Sequence, residues 1–141
     1  MANAKTKEAI DIADFFVATR ESEGEWFEPL VDGKPSGIEL KVLGKGSDKV
    51  IRAGAEYLDQ HKKLEDIKDP AEVQIKEREI VCQRIAKSVV GMRGKGGRLL
   101  VKGGKPVEYS EQVIEELVRE NMDIRTEVLA FSSDQTNYMK K

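Results

Sequence analysis

The chain has 141 residues, 35% charged and 39% hydrophobic, with a formal net charge of -2. That length suits one domain with its own core, and the near-neutral balance excludes a whole-molecule pull toward nucleic acid or anionic membrane. No apolar run approaches the roughly 20 residues that span a bilayer, the MANAKTKEAID start lacks an apolar signal region, and the lone Cys82 permits no disulfide framework and suits a reducing cytosol.

Residues 1–24 read as an N-terminal arm, and Ile10, Ile12, Phe15 and Phe16 in it fit either a short helix or an extended segment. Residues 25–141 read as a single α+β domain, mainly helical, with a β-hairpin at its start and a second short hairpin before the C-terminal helices. The first hairpin begins at Glu25. Trp26, Glu28 and Leu30 share one face of an extended segment, with Pro29 marking it as an edge strand. Asp32–Gly37 is a turn by composition, and Ile38, Leu40 and Val42 alternate with charges as a half-buried strand does.

Gly44-Lys45-Gly46 breaks that strand, and Ser47 caps a helix carrying Val50, Gly54, Tyr57, Leu58 and His61. His61, the only histidine, sits among Gln60, Lys62 and Lys63 and reads as part of a solvated face. Asp69-Pro70-Ala71-Glu72 is a strong helix start. Val73, Glu77, Ile80, Val81, Ile85 and Val89 trace a stripe along a long helix expected to end at Gly91, with Cys82 as a small buried residue. Gly103-Gly104 signals a hairpin turn between Leu99–Lys102 and Lys105–Tyr109. Ser110 caps the next helix, with Tyr109 and Ile114 at staple spacing, and Asp123 is expected to cap the last one. Residues from about 132 to 141 read as a short polar tail carrying Tyr138 and Met139.

The stretch VVGMRGKGGRLLVKGGK invites a phosphate-loop reading, and its spacing refuses one. Gly97 and Arg98 stand where a Walker A loop needs Lys and Ser or Thr. Leu99 replaces the third glycine of a dinucleotide fingerprint, and a helix precedes the stretch where a strand is needed. Arg93, Lys95, Arg98, Lys102 and Lys105 cluster without a neighbouring acid, which suits an acidic partner surface. A nucleic-acid interface is disfavoured because no aromatic is interleaved to stack on bases. No carboxylate pair, metal-ligand cluster or nucleophile–base pair is evident, so the chain reads as a non-enzyme without cofactors or metals.

The order of these features resembles the tail assembly chaperones of long-tailed, siphovirus-like bacteriophages. The likeness is carried by the hairpin with turn DGKPSG and second strand IELKVLGKGSDK, the long helix ending RIAKSVVGM, the segment GGKPVEYSEQVIEELVREN, and the ending DIRTEVLAFSSDQTNYMKK. These span roughly Trp26 to Lys141. Where such proteins often have an aromatic after the long helix, Met92-Arg93 stands here. The resemblance implies a non-enzymatic protein of the host cell cytoplasm, absent from the mature virion. Its implied partners are the tape measure protein, the major tail tube protein and a form of itself extended by programmed frameshifting, with self-association an open alternative and no membrane partner. A chaperone needs apolar surface to meet helical client segments, and the candidates are Phe131, Tyr138 and Met139, with Trp26 and Phe27 on the hairpin. Two other readings stand beside it: a structural tail or connector protein retained in the virion, and a nucleic-acid-binding accessory protein using the basic hairpin at 93–105.

Overall fold

In the computed structural model, which describes residues 8–139, the chain enters through a 3-10 turn at Ile12–Phe15, capped by the Asp11 carboxylate. Helix α1, Val17–Glu23, follows, then strand β1, Glu25–Phe27. The expected arm at 1–24 lies partly outside the described residues, and its last third is no arm, because Val17 and Glu21 are buried in the body of the protein. Glu21 is held by Gly44-Lys45-Gly46. The Gly46 amide donates to its carboxylate at 2.9 Å, and the Gly44 amide donates to its backbone carbonyl at 2.9 Å. A Cβ on Gly44 would stand 2.2 Å from the Glu21 Cγ, so only glycine leaves room for this side chain. This glycine-rich turn ahead of a helix does hold an anion, where exposed amides favour one. The anion is the chain's own carboxylate.

Strand β1 stops before the expected Val31. Pro29 is fully buried, and a proline without an N–H cannot extend the ladder. The chain leaves the sheet and forms a small hairpin of β2, Leu30–Val31, and β3, Lys34–Pro35. Its turn is Asp32 (φ 51°) and Gly33 (φ 72°) rather than the whole of Asp32–Gly37; two left-handed residues give the twist that such hairpins need. Strand β4, Ile38–Val42, then returns antiparallel to β1 with Trp26 opposite Lys41. Leu40 and Val42 are buried, as their alternation predicts.

Ser47 caps α2, Asp48–Lys62, through the Val50 amide at 3.3 Å. After a 3-10 turn at Lys63–Asp66, the Asp69 carboxylate caps α3, Pro70–Ser88. The two helices meet through polar contacts: Arg84 over the Tyr57 ring at 5.1 Å, Lys87 on Glu56 at 2.7 Å and His61 on Glu77 at 3.3 Å. Helix α3 ends before the expected Gly91. Val89–Gly94 is instead a strand, β5, and the sheet has the order β1-β4-β5. Val89-Val90 is β-branched and fits a strand, while the second edge of β4 would otherwise leave its backbone groups unpaired. Gly91 is therefore no helix stop. It lies beside Lys41 in the register, and a Cβ there would come within 2.9 Å of the Trp26 ring.

The second hairpin turns on Gly103 and Gly104 at positive φ as expected, but its strands, β6, Val101–Lys102, and β7, Lys105–Pro106, are shorter than the expected Leu99–Lys102 and Lys105–Tyr109. Ser110 caps α4, Glu111–Glu120. Tyr109 uses its hydroxyl on the Val89 carbonyl at 2.7 Å. Asn121, not Asp123, caps α5, Met122–Ser133, through the Ile124 amide at 3.0 Å. Asp123 and Glu127 instead accept the Asp32 and Leu30 amides at 2.8 Å each, which fastens the β2–β3 hairpin to α5 and covers its edge. The core gathers Leu40 and Val42, Cys82, Ile85 and Val89, Ile114 and Val118, and Ile124 and Val128. Helices plus small antiparallel sheets make this a mixed α+β domain. Among the described residues no helix is long and apolar enough to cross a membrane.

Candidate functional site

The tail is where the structure departs furthest from expectation. Past α5 the chain forms a 3-10 turn, Gln135–Tyr138, capped by the Asp134 carboxylate, which accepts from the Thr136 amide at 3.0 Å and hydroxyl at 2.6 Å. Those bonds, the hydroxyl's first, hold the Asp134 carboxyl below its ordinary pKa. Tyr138 is fully buried, and its hydroxyl donates to the Val42 carbonyl at 3.0 Å. Phe131 meets it edge-on at 5.7 Å and stacks on Phe27 at 4.2 Å. The expectation that Tyr138 is client-facing surface is thus corrected, because the ring is the plug between α5 and the sheet. Phe27 and Phe131 are half-buried members of the same stack. Trp26 lies on the opposite face of β1, half-buried under the Arg93 guanidinium, 3.9 Å from the ring centre. Met139 alone of the five keeps an exposed side chain.

The basic cluster is less free than its local sequence suggests. Arg93 pairs with Glu39 at 2.8 Å, Lys95 with Glu28 at 2.9 Å, and Lys102 with Glu116. Arg98 and Lys105 make no ion pair among the described residues, though Arg98 still adds its charge to the field at Glu28. The expectation of five uncompensated bases is corrected: the acids come from β4, the loop after β1, and α4. Sequence distances of 54 residues for Glu39–Arg93 and 67 for Glu28–Lys95 hide them from local reading.

Glu28 has a testable consequence. The Lys95 ammonium, then the Gly37 amide at 2.7 Å, hold its carboxyl below the ordinary value of 4.5. A folded carboxyl that binds its proton less tightly than the unfolded one stabilises the fold fully above the unfolded pKa. That contribution is lost as pH falls through the lower folded value. Melting temperatures taken from about pH 6 down to pH 3 should therefore fall less steeply for Glu28→Gln than for the native protein. Equal slopes would remove Glu28 from the acid limb.

What the basic stretch does build is a recess. Gly94 lets the Lys95–Gly97 turn fold back so tightly that a Cβ there would stand 2.0 Å from the Arg98 carbonyl oxygen. The returning segment runs beside β5 and leaves two adjoining hollows, of about 700 and 230 Å³, which share Met92, Leu100 and Val107. The larger is an open trough with Glu39, Arg93, Arg98 and Glu108 on its walls. The smaller is bounded by Ile38, Val101, Val113 and Leu117, with Lys102, Glu116 and Glu120 at its border. Leu99 and Val101 beside it are more than half exposed. Sequence reading had Val113 and Leu117 as helix core and Leu99–Val101 as a strand, but nothing local brings them to Met92.

Among the described residues, no group of three or more His, Cys, Asp or Glu side chains could hold a metal ion. Cys82 is buried in the core. The recess offers apolar contact rimmed by charges of both signs, which suits capture of protein side chains. Compared with known proteins, the chain matches no family model, no curated protein and no solved structure.

Proposed function

We propose that the protein is a tail assembly chaperone of a long-tailed bacteriophage, which binds the tape measure protein and helps recruit tail tube subunits around it in the host cell cytoplasm. The feature-by-feature resemblance from Trp26 to Lys141 supplies the identity of the client. The observation that supports a binding role is the apolar recess between β5, the β6–β7 hairpin and α4, with Met92, Leu100, Val107 and Leu117 at its floor and the exposed Val101 at its lip. An amphipathic client helix would lay an apolar anchor side chain there and meet the mixed charges of the rim. On this reading the client contacts the second hairpin rather than the Phe27–Phe131–Tyr138 stack.

Co-expression with a tape measure fragment tests the reading. The native protein is expected to keep the fragment soluble, and Val101→Asp combined with Leu99→Asp to leave most of it in the pellet. A fragment that stays insoluble with the native protein overturns the proposal. Presence of the protein in mass spectra of purified virions would favour the structural-component reading instead.

A further inference from the structure

The second hairpin is held firmly only at its two ends. At one end the Arg98 carbonyl lies against Gly94 of β5, and at the other the Tyr109 hydroxyl donates to the Val89 carbonyl at 2.7 Å. Between them, in residues 99–108, only Leu100 and Val107 are half-buried and the rest are exposed. The segment is bonded to itself: β6 pairs with β7 alone, and the Val107 amide donates to the Leu100 carbonyl at 3.0 Å. Among the described residues, its one polar tie to the body of the protein is the ion pair of Lys102 with Glu116 of α4.

The hairpin does not pack down on the body either. Leu100 and Val107 are separated from Ile38, Met92, Val113 and Leu117 by the apolar hollow of about 230 Å³. Folded interiors leave few voids larger than one water, about 30 Å³, so the inner side chains of the hairpin forgo contacts that would fix it. The side chains of Lys102 and Glu116 are 68% and 49% exposed, and ion pairs so exposed contribute little. Segments with few buried contacts and few bonds to the body are the ones that open locally.

We infer that residues 99–108 form a hinged flap beside the hollow, latched by Lys102 and Glu116, which swings as a unit and shuts when an apolar side chain fills the space. The hinges are the backbone torsions between Arg98 and Leu99 and between Glu108 and Tyr109. With the hollow empty, opening breaks one exposed ion pair and little apolar contact. With the hollow filled, Leu100 and Val107 gain a packing partner, and the closed form is favoured. That the guest is a client side chain rests on the chaperone reading, whereas the hinge and the latch do not.

Spin labels on Lys105→Cys in β7 and Gln112→Cys on α4, both exposed positions, report the motion in the full-length protein without any client. Cys82, buried in the core, stays unlabelled. Pulsed EPR is expected to find a latched distance and a longer, open one, and Glu116→Gln or Lys102→Gln to enlarge the open share. A single narrow distance that neither substitution changes overturns the inference. A second arm uses the tape measure fragment with Lys102→Cys and Glu116→Cys joined by a short bismaleimide whose spacer can be cleaved. Tied before mixing, the protein should lose uptake of the fragment and regain it on cleavage. Tied after mixing, it should keep the fragment through a wash that strips it from the cleaved protein. Equal uptake by the tied and the cleaved protein also overturns the inference. A fragment that binds neither form counts against the chaperone proposal, and the EPR distances then decide the flap.

Discussion

Replacing Tyr138 with alanine is expected to lower the unfolding free energy by about 3–5 kcal/mol, although the residue lies in a segment that reads as polar tail. The side chain is fully buried, donates to the Val42 carbonyl at 3.0 Å and touches the Phe131 ring edge-on at 5.7 Å. Its removal opens a cavity between α5 and β4, takes the hydroxyl donor away from the Val42 carbonyl, and loosens the Phe27–Phe131 stack. Tyr138→Phe keeps the ring and removes only the donor, and should cost about 1–3 kcal/mol. Burial first, then the charges of Glu21 and Glu25, raise the phenol pKa far above the usual 10.0. The hydroxyl thus remains a donor at any pH where the fold is studied. Urea titrations followed by circular dichroism measure both variants. A loss below about 1 kcal/mol for the alanine variant would show that the tail does not latch the fold.

Gly94→Ala should be the most disruptive single methyl in the candidate site. Its backbone is ordinary, with φ -78° and ψ 139°, so alanine meets no torsional strain there. The obstacle is steric, because the new Cβ would lie 2.0 Å from the Arg98 carbonyl oxygen and 2.7 Å from its carbon. Backbone cannot swing aside as a flexible side chain does, so the Lys95–Arg98 turn must move away from β5 at a cost of about 1–3 kcal/mol. That movement splays the wall of the recess. Hydrogen exchange should accelerate at β5 and at the β6–β7 hairpin, and retention of the tape measure fragment should fall in parallel. Gly97→Ala provides the contrast. Nothing lies within 4 Å of its added methyl, but its φ is +79°, so it should cost about 1 kcal/mol without moving the recess wall. Equal exchange patterns in the two variants would mean that the close approach at Gly94 does not shape the site.

Capping and turn chemistry were readable because they act between residues a few positions apart. Ser47, Asp69 and Ser110 each cap the helix that follows, and Gly103-Gly104 turns the second hairpin. Alternation in Ile38–Val42 named the buried Leu40 and Val42 because a strand sends successive side chains to opposite faces. Where two local signals competed, the nearer partner won or lost on contacts far away. Asn121 and Asp123 are both adequate caps by composition. Asn121 takes the role, and Asp123 is occupied by the Asp32 amide of a hairpin 91 residues away in sequence.

The sequence by itself determined the class of fold, the order and starts of most elements, and the absence of a phosphate-loop spacing, since each depends on periodicity or on neighbours within a turn. Only the tertiary structure decided that Val89–Gly94 is a strand, that Tyr138 is a core plug, and that Arg93, Lys95 and Lys102 are paired. These are contests between similar local energies, a sixth turn of helix against a strand or a solvated tyrosine against a buried one. They are settled by partners such as the open edge of β4, the Val42 carbonyl, Glu28 and Glu39. A basic stretch of sequence carries no record of which distant carboxylates will fold against it.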